Sequence, residues 1–256
     1  MQHPASKGAR CLLVPGRRPA VTTTSGNLCT NIYISQIDRG GAMAEPSDFP
    51  RYDRTEQLAD RAVHLVGILG ASGGVAWLIS RLPPEASAKL IASIWIYGLG
   101  LLCMLTASAL YNMAANGRIK ARLRRLDHAM IFVMIAGTYT PFALNAFPAF
   151  SGHLLFWMIW LLAIAGIVLK SLTSPPSDRL SVGLYVGMGW IALGFLPILV
   201  ASVSERSLVL LVCGGLVYSA GALIHTWGGI RFHNAIWHVM VLVGAALQFG
   251  AIVHLV

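Results

Sequence analysis

From position 58 to its end the chain is a series of long apolar stretches, interrupted by short clusters of charge, proline or serine. The interruptions are Arg81 with Pro83-Pro84, the basic run from Arg118 to Arg125, the Ser174-Pro175-Pro176-Ser177 break, Glu205-Arg206, and the turn around Arg231. Between them lie seven stretches, at 58–79, 90–114, 126–147, 154–172, 180–203, 208–224 and 234–256. An α-helix rises about 1.5 Å per residue, so about 20 apolar residues cross a bilayer core of about 30 Å. The pattern predicts an all-α membrane protein with seven transmembrane helices. Pro141 and Pro197 fall inside spans and predict kinks, because proline leaves a carbonyl without its donor. Glycine pairs four apart, Gly70/Gly74 and Gly183/Gly187, read as points of close helix packing.

Charge sets the direction. The loop between the second and third spans carries Arg118, Lys120, Arg122, Arg124 and Arg125; the opposite loops hold Arg81, Lys89 and Arg206, offset by Glu85 and Glu205. Cytoplasmic loops are enriched in Lys and Arg, which puts the N-terminus in the cytoplasm, Val256 outside, and the protein in the plasma (bacterial inner) membrane. Only 11% of residues are charged and 56% are hydrophobic, against roughly 25% charged in soluble domains. The net charge of +9 belongs to the tail and alternate loops, not to a basic face interleaved with aromatics, so nucleic acid is excluded as a partner. Residues 1–57 form a basic tail rich in Pro, Gly, Ser and Thr, expected to be disordered, with Met43 as an alternative start; residues 58–256 form the membrane domain. The cysteines Cys11, Cys29, Cys103 and Cys213 have no paired spacing, so no disulfide framework is expected.

The polar residues that the spans do hold share one depth. Glu56, Asp60 and His64 lie where the first span begins, Ser108 and Asn112 where the second ends. Asp127 and His128 open the third, and His233, Asn234 and His238 open the seventh. Alternating direction places all of them in the cytoplasmic half. Ionisable groups in hydrocarbon are costly, so their convergence points to a functional site. Residues four apart share a helix face, which pairs Asp60 with His64, Ser108 with Asn112, and Asn234 with His238. His233 and His238 diverge by about 140° and form no helical chelate. One reading is an interior site with Asp127 and His238 as ionisable core, Ser108, Asn112 and Asn234 as hydrogen-bonding partners, and Asp60 and His64 at the rim. The other makes each residue a helix-end group in interfacial water, with Asp127 as an N-cap.

These residues also carry a resemblance. Ser108-Ala-Leu-Tyr-Asn112, Arg125-Leu-Asp127-His128, Ala136-Gly-Thr-Tyr-Thr-Pro-Phe142 and Asn234-Ala-Ile-Trp-His238, in this order, resemble the hemolysin III branch of the progestin and adipoQ receptor family. The likeness runs over about residues 56 to 256. It implies seven helices with the N-terminus inside and a zinc site near the cytoplasmic face. Three histidines hold the metal in that family, one from the second span and two, four apart, from the seventh. The third-span Asp holds a water on the metal, with the second-span Ser nearby. The family is grouped with alkaline ceramidases as metal-dependent lipid amide hydrolases.

This sequence departs from that pattern at two of three ligands. Asn112 and Asn234 occupy histidine positions, and only His238 remains. An amide oxygen is neutral and weakly basic, a poor zinc ligand beside imidazole. The remaining donors for zinc are His238, Asp127 binding directly, and His64, with His233 added only if the seventh helix starts irregularly. Asp127 and Ser108 are the catalytic candidates. Asn112, Asn234, Asp60, Glu56 and His128 line the site, and the two asparagines can bond each other across helices. Three functions stay open: a membrane protein of lipid homeostasis with a polar structural core, a metal-dependent lipid amide hydrolase, and a pore. Membrane lipids are the expected partners.

Overall fold

A computed structural model describes residues 52–115, 117–172, 178–226 and 230–256 of the chain. The tail before Tyr52, the start at Met43 and the Ser174–Ser177 break lie outside the described residues. Every regular element among the described residues is helical: α1 (Arg54–Ser80), α2 (Ala88–Met113), α3 (Arg118–Asn145), α4 (Ala149–Leu172), α5 (Asp178–Gly189), a 3-10 helix (Ile191–Phe195), α6 (Leu196–Ser202), α7 (Glu205–Thr226) and α8 (His233–Val253). Among the described residues, six segments are long and apolar enough to cross a membrane: α1, α2, α4, the composite of α5 to α6, α7 and α8. The exception, α3, is long enough but starts two turns earlier than the apolar pattern, so that the basic run from Arg118 to Arg125 is helical.

Local signals explain several helix ends. Asp53 caps α1 by accepting from the Glu56 N–H at 2.7 Å, while Glu56 accepts from the Asp53 N–H at 2.9 Å, a reciprocal capping box. Ser87 caps α2 through the Leu90 N–H at 3.2 Å. Asp127 is no cap: it sits in the interior of α3, which starts after Gly117, and it is buried.

The stretch at 180–203 is not one helix. Its chain breaks at Trp190 and passes through the 3-10 segment before α6 begins. Tyr139 from α3 supports the break: its hydroxyl donates to the carbonyls of Gly189 (2.7 Å) and Met188 (3.2 Å) and accepts from the Ala192 N–H (3.1 Å). Backbone groups freed inside a membrane protein need such partners. Pro197 therefore kinks nothing; it stands in the first turn of α6, where a missing N–H costs little. Pro141 lies within a continuous α3.

One core joins α1, α2, α3 and α8 around Leu78, Ile94, Tyr97, Leu101, Met134 and Ile252; a second joins α3, α4 and α5 around Phe132, Ala136, Ile159, Ala163 and Met188. The glycines that matter are not the expected pairs. Gly70, Gly183 and Gly187 face open space, and a Cβ at Gly74 would meet only the Phe249 ring at ordinary contact distance. A Cβ at Gly152 would fall 2.1 Å from the Ala143 carbonyl oxygen, and one at Gly166 would fall 2.3 Å from the Phe132 ring. These two positions let α4 lie close on α3.

Candidate functional site

Because α1 packs directly along α8, the first and last helices bring their polar turns together. Asp60 and His64, one turn apart on α1, face His238 on α8. His238 Nδ1 stands 2.5 Å from Asp60 Oδ1, and His64 Nε2 stands 3.5 Å from Asp60 Oδ2. The imidazole rings of His64 and His238 lie 4.4 Å apart, centre to centre. All three residues are buried, with exposures of 7%, 2% and 7% in chain order. One donor atom from each lies within 4.8 Å of the others, close enough to share an ion. Within ion-pair range of Asp60, His64 Nε2 still makes no hydrogen bond.

The other expected residues surround this trio. Ser108 on α2 brings its hydroxyl to 3.3 Å from His238 Nε2 and also hydrogen-bonds Asp127. Asp127 is buried on α3, with His64, Arg124 and Asp60 as its charged neighbours, but it is not one of the three clustered donors. Asp60, expected only as lining, supplies the carboxylate. Asn112 donates to the Ser108 carbonyl (2.9 Å) and accepts from the Asn234 amide (3.1 Å), so the two amides do pair across α2 and α8. The Tyr185 hydroxyl donates to the His128 carbonyl.

His233 points elsewhere. The start of α8 is irregular, with Phe232 in the left-handed region at φ 61°, yet His233 meets the Tyr52 hydroxyl at 3.4 Å and the Ile230 carbonyl at 3.2 Å. Glu56 is half-buried and bonds the Phe232 N–H at 3.0 Å; Arg231 reaches Asp53 at 3.2 Å and Thr55 at 3.3 Å. These contacts clasp the start of α1 to the start of α8. The Thr55 hydroxyl, then the Glu56 N–H and Arg231, push the Asp53 carboxyl down to about 2. Burial, then the nearby Tyr111, Asp60 and Glu56, push Tyr52 up to about 12.

Asp60 and His238, but not His64, line a cavity of about 440 Å³, within the range of about 300–1,000 Å³ typical of ligand sites. Its polar end holds Asp60, Ser108, Asn112, Asp127, Asn234 and His238. From there it runs along α3 between α5, α6, α7 and α8, past Ile131, Met134 and Val241 to Phe147, Leu155, Leu199 and Leu208. The first 3-10 turn and α6 supply much of this apolar wall.

A family model described as haemolysin-III related matches residues 53–249. The chain belongs to this family. Among its relatives, the hemolysin-3 homolog of Bacillus subtilis (strain 168) is 36% identical over 194 residues, covering 76% of this chain and 91% of that protein. The hemolysin-3 of Bacillus cereus is 30% identical, covering 76% and 89%. The human monocyte to macrophage differentiation factor is 31% identical over 215 residues, covering 79% and 86%. No solved structure matches the chain. The haemolysin-III match starts at Asp53, so the trio, the Asp53, Glu56, Arg231 and Phe232 contacts, and every cavity-lining residue except Tyr52 fall within the matched region.

The sequence offers His238, Asp127 and His64 as metal donors with Asp60 as lining; the structure clusters Asp60 with His64 and His238. The i, i+4 spacing of Asp60 and His64 held the needed signal. Tyr52, Lys120 and Arg124 at the cavity mouth gave no such signal, because they read as tail and positive-inside charge.

Proposed function

We propose that this haemolysin-III member crosses the plasma (bacterial inner) membrane seven times, N-terminus inside and C-terminus outside, and serves membrane lipid homeostasis through its cavity. Counting α3 supplies the seventh crossing, with its five basic residues as the cytoplasmic anchor. The observation that carries the functional reading is the make-up of the cavity. Its buried polar head and long apolar limb match the two halves of a lipid.

A second reading, favoured by the Asp60–His64–His238 cluster, makes the protein a metal-dependent lipid amide hydrolase. Two imidazoles and a carboxylate are a usual donor set for catalytic zinc with one position left open. His64 Nε2, buried and without a hydrogen bond, is a donor of the kind such an ion uses. The donors thus fit zinc although two histidine positions of the family pattern are asparagine. A divalent ion held there supplies Lewis acidity to a carbonyl and acidifies water. Ser108 orients both His238 and Asp127. Asp127, linked to the site through Ser108, is the group that would take a proton from an attacking water and return it to a leaving amine. The apolar limb of the cavity, lined by Phe147, Leu155, Leu199 and Leu208, lacks the polar stripe that a water-filled pore requires.

The test is reconstitution in vesicles with a long-chain N-acyl lipid. Hydrolysis predicts release of fatty acid that stops with chelator, with Asp60→Asn and with Asp127→Asn. Binding of the lipid without release leaves the non-catalytic role. Absence of both binding and release refutes a lipid site.

A further inference from the structure

We propose that the mouth of the cavity is a receptor for an anionic lipid headgroup, with Lys120 and Arg124 as the cations that bind it. This rests on the reading of the cavity as a lipid site. Five basic residues occupy the start of α3, and membrane orientation alone would accept any arrangement of them. The arrangement is selective. Lys120 and Arg124 line the cavity, whereas Arg118, Arg122 and Arg125 do not. The two are four apart, so they share the face of α3 that continues through Asp127, His128, Ile131 and Met134 into the apolar limb. That one face therefore reads cation, cation, carboxylate, then hydrocarbon, in the order of an anionic amphiphile lying along it.

Lys120 is held in place. Its ammonium donates to the Ala114 carbonyl at 3.2 Å and lies 5.5 Å from the centre of the Tyr111 ring. Arg124 offers a planar fork suited to phosphate or carboxylate. Arg61 of α1 adds a third cation at the mouth. Among the acidic groups there, Glu56 bonds the Asp53 and Phe232 N–H groups, Asp60 bonds His238 and lies within ion-pair range of His64, and Asp127 has Arg124 as a charged neighbour. Asp127 lies deeper, about 4.5 Å further along the axis than Arg124. A headgroup anion at Lys120 and Arg124 would set the first bonds of its acyl chain beside Ser108, Asp127 and His238. The shared chemistry is a phosphate or a carboxylate at the head of a single chain.

The full chain in neutral detergent is titrated with four lipids of one acyl length: a monoacyl phosphate, a fatty acid, a zwitterionic lysophosphatidylcholine and a neutral monoacylglycerol. The expected result is that at least one of the two anions binds about tenfold or more tightly than the neutral lipid, the order expected of a charge-assisted hydrogen bond. Which anion is preferred identifies the source. Lys120→Gln with Arg124→Gln removes the preference while monoacylglycerol still binds, which also shows that the variant folds. Arg118→Gln with Arg122→Gln keeps the preference. Equal affinity for all four lipids overturns the proposal but leaves the lipid cavity standing. Equal loss in both double variants also overturns it, because diffuse surface charge then suffices. Failure of monoacylglycerol and all the others to bind the wild-type chain sinks the lipid cavity itself.

Discussion

At the scale of single residues, the site is a set of pairings, each of which sets what its neighbour can do. Asn112 and Asn234 show this most simply. Their 3.1 Å bond joins two amides where a resemblance to three-histidine sites would place imidazoles. Removing one partner leaves one half of this bond unmet at a half-buried level; removing both takes away donor and acceptor together. Hydrogen bonds between helices in membranes average about 0.6 kcal/mol and reach about 2 kcal/mol. Thermal unfolding of Asn112→Ala, Asn234→Ala and the double variant should therefore show a coupling of that order, with the double costing less than the sum. Strict additivity would show that the pair carries no structural bond. The trio makes a different demand. His64→Ala and Asp60→Ala should each abolish stoichiometric zinc in the purified protein, while Asn112→Ala should leave it bound, as measured by elemental analysis. Zinc retained by Asp60→Ala would return the carboxylate role to Asp127.

Helix packing brings Asp60, rather than the Asp127 that the sequence suggests as a metal donor, to His238. Depth and four-residue spacing are local properties, and they were enough to bring Asp60, His64, Ser108, Asn112, Asp127, Asn234 and His238 to one level. Which carboxylate reaches His238 depends on which helix lies beside α8. That neighbour is α1, whereas α3 touches α8 only lightly, and nothing in the local pattern encodes such adjacency. The same limit applies to glycine. Gly183 and Gly187 have the spacing of a packing motif but face open space, whereas Gly152 has no such spacing and sits against the Ala143 carbonyl. The break in the fifth stretch was equally hidden, because it depends on a tyrosine some 50 residues earlier. Gly152→Ala must push α4 off α3 and should cost about 1–3 kcal/mol, the usual range for overpacking. Gly183→Ala, in open space within α5, should be neutral or gain up to about 1 kcal/mol from helix propensity. Unfolding in mild detergent compares them, and equal loss in both would show that α3 and α4 are not closely packed in the membrane.

For the whole molecule, the polar site exists because the chain's first and last helices meet, and the clasp at their starts ties that meeting together. Arg231 and Asp53 are both exposed, so their ion pair contributes little by itself. The clasp gains its hold from several bonds converging on one carboxylate and one strained residue. Phe232, at φ 61°, keeps its left-handed backbone while Glu56 bonds its N–H and Arg231 lies over its ring at 4.9 Å. Because the folded state holds Asp53 down at about 2, below its ordinary value of about 3.9, the carboxylate form belongs to the clasped state. Its stabilising contribution is full above about pH 4 and is lost as pH falls through about 2. Hydrogen exchange at the Glu56 and Phe232 amides should therefore stay protected from pH 7 down to about 5. Protection should then decline as pH falls from 4 towards 2, and Arg231→Ala should begin that decline at higher pH, because one of the groups lowering Asp53 is gone. Protection already lost above pH 5 in the wild-type chain would show that the acidic start of α1 does not hold α8.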